Sequence, residues 1–252
     1  MSLLPLSDVI ITRNEELNID RAILSVQPIC DDIIVVDSGS TDKTIEIAKG
    51  LGAQVFSNPW QGYSKQKNFG NAQAKHPYIF SIDADESFSP ELRLELIDLF
   101  NAGNLKTLYR VNLINHFCDK PIMHGAWYPD WHYRLFDKTQ LHWIETDDVH
   151  EGLNWNEQTL KANLSEHLFH HTTHSEAYYQ EKMENYAHLF ADKMHAKGKK
   201  ASALKAYTSA CFRFLREFVF QSGFLDGKEG YKIARAHYLY TRNKYLYLKN
   251  LG

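Results

Sequence analysis

The sequence predicts an α/β fold, a doubly wound and mostly parallel sheet followed by a helical extension, and three observations carry that reading. Short runs of β-branched residues, Ile33-Ile34-Val35-Val36 the clearest, alternate with segments of helical periodicity, as a parallel sheet buried on both faces requires. Three of the runs stop at polar clusters, so the loops after those strands share one edge of the sheet, where such folds bind ligands. From about Ser175 onward the pattern is helical throughout.

Taken in order, residues 6–12 read as a strand running into the polar turn Arg13-Asn14-Glu15-Glu16 and an amphipathic helix over 17–26. Residues 33–36 form the second strand, which ends at Asp37-Ser38-Gly39-Ser40-Thr41-Asp42 before a helix over 44–51. A third strand covers 54–56, a helix 62–74, and a fourth strand 78–82 ends at Asp83-Ala84-Asp85. A helix over 90–100 opens with Pro90 and Glu91, residues that suit a first turn. Between 106 and 144 the segments are extended and rich in aromatics; after them come helices over 175–196, 199–221 and 227–246, separated near Gly198 and at 223–227. The expected division is a sheet-bearing domain over 1–174 and a basic, aromatic-rich helical extension over 175–252.

Composition narrows the classes. Hydrophobic residues at 44%, with 13% aromatic, exclude a disordered chain. Cys30, Cys118 and Cys211 are odd in number and far apart, which indicates neither a disulfide framework nor a zinc ribbon and points to a reducing compartment. Residues 1–7 lack the basic segment and apolar run of a secretory signal, so a cytoplasmic protein is expected. No apolar run reaches the roughly 18–20 residues that span a bilayer, the best candidate being broken by Arg213, Arg216 and Glu217. The net charge of −3 conceals an asymmetry: residues 192–252 hold 13 Lys and Arg against 4 Asp and Glu, a net of +9, leaving −12 on the rest. Such a tail suits an anionic partner. Its basic and aromatic residues interleave, as at a lipid headgroup interface, and no nucleic-acid reader motif accompanies them.

Three clusters, 12–15, 37–42 and 83–86, follow strands directly, and a parallel sheet brings them together. Carboxylates there can meet a ribose or base, and backbone N–H groups can meet negative charge. Each cluster taken alone is better explained by turn residues and N-caps, so the weight lies in their convergence. In Asp83-Ala84-Asp85, alternation lets one carboxylate face a nucleotide and the other a divalent cation such as Mg²⁺ or Mn²⁺, which prefers oxygen ligands and diphosphates.

The ordered blocks Ile10-Ile11-Thr12-Arg13-Asn14-Glu15, Ile34-Val35-Val36-Asp37-Ser38-Gly39-Ser40-Thr41-Asp42, Lys65-Gln66-Lys67-Asn68 and Ser81-Ile82-Asp83-Ala84-Asp85-Glu86 resemble those of family 2 glycosyltransferases. The resemblance implies a GT-A fold, a nucleotide-sugar donor and inversion at the anomeric carbon. It places Thr12, Asn14 and Glu15 in the nucleotide pocket, Asp37 near base or ribose, Lys67 near the base, and Asp83 and Asp85 at ribose and metal. His124-Gly125-Ala126-Trp127-Tyr128-Pro129-Asp130, Arg134-Leu135-Phe136 and Val149-His150-Glu151 are similar to bacterial lipopolysaccharide core glucosyltransferases, although that subgroup often has Gly where this chain has Ala126. A glucosyl donor, UDP-glucose, and a lipid-anchored core saccharide as acceptor are implied, with the protein peripheral on the cytoplasmic face of the inner membrane. The segments over 106–144 would then build the acceptor side.

Inversion by direct displacement needs a base for the acceptor hydroxyl. The resemblance points to Glu151, with Asp130 the runner-up. The spacing of His167, His170, His171 and His174 places them near one helix face, which suggests zinc; the resemblance instead offers His170 as a metal ligand beside Asp83 and Asp85, and a structural histidine remains the plain alternative. A nucleotidyltransferase would need a Gly-rich basic loop where Thr12-Arg13-Asn14-Glu15 stands, and a non-catalytic scaffold would have no need of Asp83, Asp85, Lys67 and Glu151 together.

Overall fold

The structure, a computed structural model, describes residues 3–145 and 152–252. Its contacts divide the chain into two units, one of 1–113 with 130–170 and the other of 114–129 with 171–252. Segment 114–129 thus packs with the C-terminal helices, where the sequence reading had grouped it with the sheet.

In the first unit β1 (Leu4–Thr12), β2 (Cys30–Asp37), β3 (Gln54–Ser57) and β4 (Tyr78–Asp83) pair in parallel, β1 lying between β2 and β4. Helices α1 (Ile19–Val26), α2 (Thr44–Gly50) and α3 (Tyr63–Gln73) connect them. Val9, Ile10, Ile34, Val35 and Val36 are fully buried, as strands covered on both faces must be. Alpha-helix α1 buries Ile19, Ala22, Ile23 and Val26 from one stripe, and α3 approaches so closely that a Cβ on Gly70 would stand 2.5 Å from Val9 Cγ1. The chain moves to opposite sides of β1 after its carboxyl end, the switch at which a crevice opens in such sheets.

Beyond β4 the sheet turns antiparallel. With β5 (Glu86–Phe88), β6 (Leu108–Phe117), β8 (Asp130–Asp137) and β9 (Lys161–Thr173), the order is β3-β2-β1-β4-β8-β6-β9-β5. Helix α4 (Pro90–Ala102) follows β5; Ser89 Oγ accepts from Leu92 N–H at 3.0 Å, Pro90 opens the first turn, and Gly103 ends it in the left-handed conformation at φ 70°. His167, His170 and His171 lie on β9, so the helix face expected from their spacing does not form. The pairing Glu86↔His170 fixes a strand there, and alternation sends His170 and His171 to opposite faces.

In the second unit the two-residue strand β7 (Lys120–Pro121) pairs with the end of β6, and helices α5 (Glu176–Ala196), α6 (Ala203–Leu215) and α7 (Gly227–Leu251) follow. A π-helical turn, Arg216–Phe220, extends α6. Phe117, Ile122, Tyr179, Ile233 and Ala236 form its core. Among the described residues no helix is long and apolar enough to cross a membrane.

Candidate functional site

Two cavities open at the carboxyl end of the parallel strands, and Asp83 lines both. The first, about 400 Å³, is lined by Thr12, Arg13 and Glu15 after β1, Asp83, Ala84 and Asp85 after β4, His170 from β9, and the rings of Trp60 and Tyr63. Those rings meet edge to face at 4.7 Å and remain 46% and 43% exposed. The second, about 500 Å³, is lined by Lys67, Arg134, His132, Gly152 and Leu153 with four aromatics: Trp131, Tyr133, Trp143 and Trp155.

A buried charge network stands where the cavities meet. Lys67 on α3 is 1% exposed; its Nζ lies 3.3 Å from Asp83 Oδ1 and 4.9 Å over the Trp143 ring. Arg134 on β8 places Nη2 3.2 Å from Asp83 Oδ2 and also donates to Glu86 Oε1, while Glu86 Oε2 accepts from Asp83 N–H at 3.0 Å. Burial alone would raise the Asp83 pKa, but Lys67, Arg134 and His170 overcome it and hold the carboxyl well below the usual range. Burial pushes the Glu86 carboxyl up, with Arg134 offsetting part of that rise.

The β5–β9 pairing brings His170 Nε2 within 3.2 Å of Asp85 Oδ2. Burial would lower the imidazole's pKa, yet the hydrogen bond and charge of Asp85, joined by Glu86 and Asp83, raise it to about 9. Asp83, Asp85 and His170 are therefore neighbours, as the sequence suggested. Both Asp83 oxygens face cations, however, which leaves Asp85 and His170 as the pair aimed at the first cavity. Among the described residues no group of three His, Cys, Asp or Glu side chains is gathered to hold a metal unaided.

Other expected residues divide. Thr12 and Glu15 line the first cavity and Lys67 the second. Asn14 lines neither: at φ 57° it takes Ser40 Oγ on its N–H at 2.8 Å and accepts from Thr41 N–H at 2.8 Å, clamping two loops together. Asp37, 1% exposed, also lies outside both linings; it accepts from Gly39 N–H at 2.8 Å, Ser40 N–H at 3.0 Å and the Ser40 hydroxyl, shaping its own turn. Asp130 opens β8 with Oδ1 2.8 Å from His132 Nε2, and His132, not Asp130, lines the second cavity. Glu151 lies outside the described residues. Sequence reasoning gave no role to Arg134, Glu86, Trp60 or Trp155. Arg134 stands in the Arg134-Leu135-Phe136 block, but only strand register reveals its partners.

A sequence model described as glycosyl transferase family 2 matches residues 7–151. An "uncharacterized glycosyltransferase" of Rickettsia bellii is 35% identical over 235 residues, spanning 90% of this chain and 80% of the relative. The lipopolysaccharide core biosynthesis glycosyltransferase LpsC of Rhizobium meliloti is 39% identical over 113 residues, 43% of this chain and 42% of that protein. Among solved structures, glucosyl-3-phosphoglycerate synthase from Mycobacterium tuberculosis, in complex with Mn²⁺, UDP and glucosyl-3-phosphoglycerate, aligns with 26% identity and a TM-score of 0.36 over 45% of this chain and 44% of that one.

Proposed function

The chain belongs to glycosyl transferase family 2, and from that premise we propose that it is an inverting hexosyltransferase, moving glucose from UDP-glucose onto the inner core of a lipopolysaccharide or lipooligosaccharide. The observation that carries this reading is the sharing of Asp83 by two cavities of different chemistry. The first suits a nucleoside diphosphate: Trp60 and Tyr63 offer ring faces to a base, Glu15 and Asp83 can accept from ribose hydroxyls, and Arg13 supplies positive charge. The second suits a saccharide, since Trp131 and Trp155 are 39% and 41% exposed and can cover the apolar C–H faces of sugar rings. The partial relative LpsC, a lipopolysaccharide core biosynthesis glycosyltransferase, supports a lipopolysaccharide core as acceptor.

The donor set fits a divalent cation. Asp85 and His170 stand 3.2 Å apart on the first cavity; Asp85 would hold Mg²⁺ or Mn²⁺ together with diphosphate oxygens, and His170 would join as a ligand once the ion displaces its proton. When bound, the ion supplies charge stabilisation to the departing diphosphate. Lys67 and Arg134 keep Asp83 ionised and oriented, and the base that takes the acceptor proton is Glu151, with Asp130 as the alternative. The basic helices hold the enzyme at anionic lipid on the cytoplasmic face of the inner membrane.

The test is incubation with radiolabelled UDP- and GDP-sugars, with and without truncated lipopolysaccharide. Transfer from UDP-glucose to the saccharide is expected. Donor hydrolysis without transfer to any core acceptor would sink the acceptor assignment, and preference for another nucleotide sugar would sink the donor.

A further inference from the structure

The second unit carries a cavity that the proposed transfer does not use. About 420 Å³ in volume, it is lined by Ser209, Arg213 and Arg216 around the end of α6, by Gln221, and by Thr241 and Lys244 on α7. Its cations outnumber its anion. Glu217, the carboxylate in the lining, is already engaged: Oε1 accepts from Arg213 Nε at 2.7 Å, and Oε2 lies 2.6 Å from His237 Nδ1. Among the described residues no hydrogen-bond acceptor or carboxylate meets the Arg216 guanidinium or the Lys244 ammonium. The Lys244 ammonium has ring faces for company, 4.5 Å from the Phe190 centroid and 4.6 Å from that of Tyr240. Gln221 Oε1 is buried without a hydrogen-bond partner, and the same amide turned over would present its NH₂ instead. Arg216 begins the π-helical turn, a local irregularity often found where a side chain must be re-aimed.

We propose that Arg216 and Lys244, with Arg213 and the hydroxyls of Ser209 and Thr241, form a binding site for a phosphate dianion with at most one esterified oxygen. A guanidinium fork and a compact ammonium facing one cavity, with hydroxyl donors between them, match a dianion that presents several acceptor oxygens. Burial and the charge of Arg213 hold the Lys244 ammonium down to about 8, so the arrangement carries an electrostatic cost that a bound anion removes. The phosphate can come from a lipid headgroup or from the free ion. Phe212, 66% exposed and part of the same lining, suits the lipid source.

Calorimetric titration of the full chain with inorganic phosphate at constant ionic strength tests the site. Saturable binding is expected, weakened about 10-fold in Arg216→Gln and in Lys244→Met and unchanged in the control Lys228→Gln. Ser209→Glu, which puts a carboxylate into the cavity, is expected to abolish binding without loss of the fold as judged by its unfolding midpoint. Heats that do not saturate, or affinity that all three cavity variants retain, overturn the proposal. Flotation with phosphatidylcholine vesicles containing phosphatidic acid or phosphatidylglycerol then separates the sources. A preference for phosphatidic acid that the variants lose supports the lipid headgroup, and saturable phosphate binding without that preference supports the free ion. None of these readouts depends on glycosyl transfer, so failure here and failure of the proposed function are distinguishable.

Discussion

Replacing Arg134 by Met removes a cation that serves two acids at once. Its guanidinium and the Glu86 carboxyl are 6% and 1% exposed, so neither can turn to water when the other is lost. Breaking a buried pair from one side costs about 3–5 kcal/mol, because the remaining acid must stay buried without its counter-charge. For a chain of this length that lowers the unfolding midpoint by roughly 6–20 °C. Glu86→Gln added to Arg134→Met keeps an acceptor for Asp83 N–H, which Glu86 now supplies at 3.0 Å, and removes the stranded charge; it should restore about 1–3 kcal/mol. Urea unfolding of the wild type, both single variants and the double variant measures this coupling. A loss below about 1 kcal/mol in Arg134→Met, or strictly additive effects in the double variant, would refute the reading of Arg134 as the buried counter-ion of the site.

Asp8 sits on β1 between Ile33 and Phe80, fully buried with neither carboxyl oxygen hydrogen-bonded, so Asp8→Val should stabilise by about 1–3 kcal/mol in urea unfolding at neutral pH. Burial, with the Glu86 charge second, raises its folded pKa; its stability contribution is therefore present below the unfolded value of about 3.9 and lost as pH rises through the folded one, and a gain confined to acid pH would contradict this sign. Trp60→Ala should weaken UDP binding by about 1–3 kcal/mol in calorimetry without lowering the unfolding midpoint, and unaltered affinity would remove Trp60 from the base site. Asp85→Asn should cut transfer at least about 100-fold and abolish its dependence on added Mn²⁺ or Mg²⁺; full wild-type turnover in excess chelator would exclude the metal.

The parallel half of the sheet was legible because its cause is local. Ile34, Val35 and Val36 form an unbroken apolar run that fits a strand buried on both faces, and the polar clusters after β1 and β4 could then lie on one edge. The antiparallel half depends on partners far away in sequence. His167, His170 and His171 have a spacing that fits a helix, and pairing with β5 on one side and β6 on the other makes them a strand. Arg134 was visible inside a recognised block, but its partners Asp83 and Glu86 are set by the alignment of β8 beside β4. The same dependence hides the hydrogen bonds of Asn14 and Asp37 to neighbouring loop backbone, which a linear pattern of polar residues after strands does not reveal.

The asymmetry between Asp83 and Asp85 follows from those placements. A carboxylate bracketed by two buried cations is held ionised and in a fixed orientation, which suits an acceptor for hydroxyl groups at the junction of two cavities. Under the proposed function, Asp85, whose neighbour is an imidazole, exchanges that contact for the harder cation that the diphosphate brings. The two acids of one Asp-x-Asp segment thus acquire different tasks from their surroundings. Lys67 from a helix and Arg134 from a strand both supply that difference, Lys67 the larger part, so a substitution at either should change how Asp83 behaves before it changes Asp85.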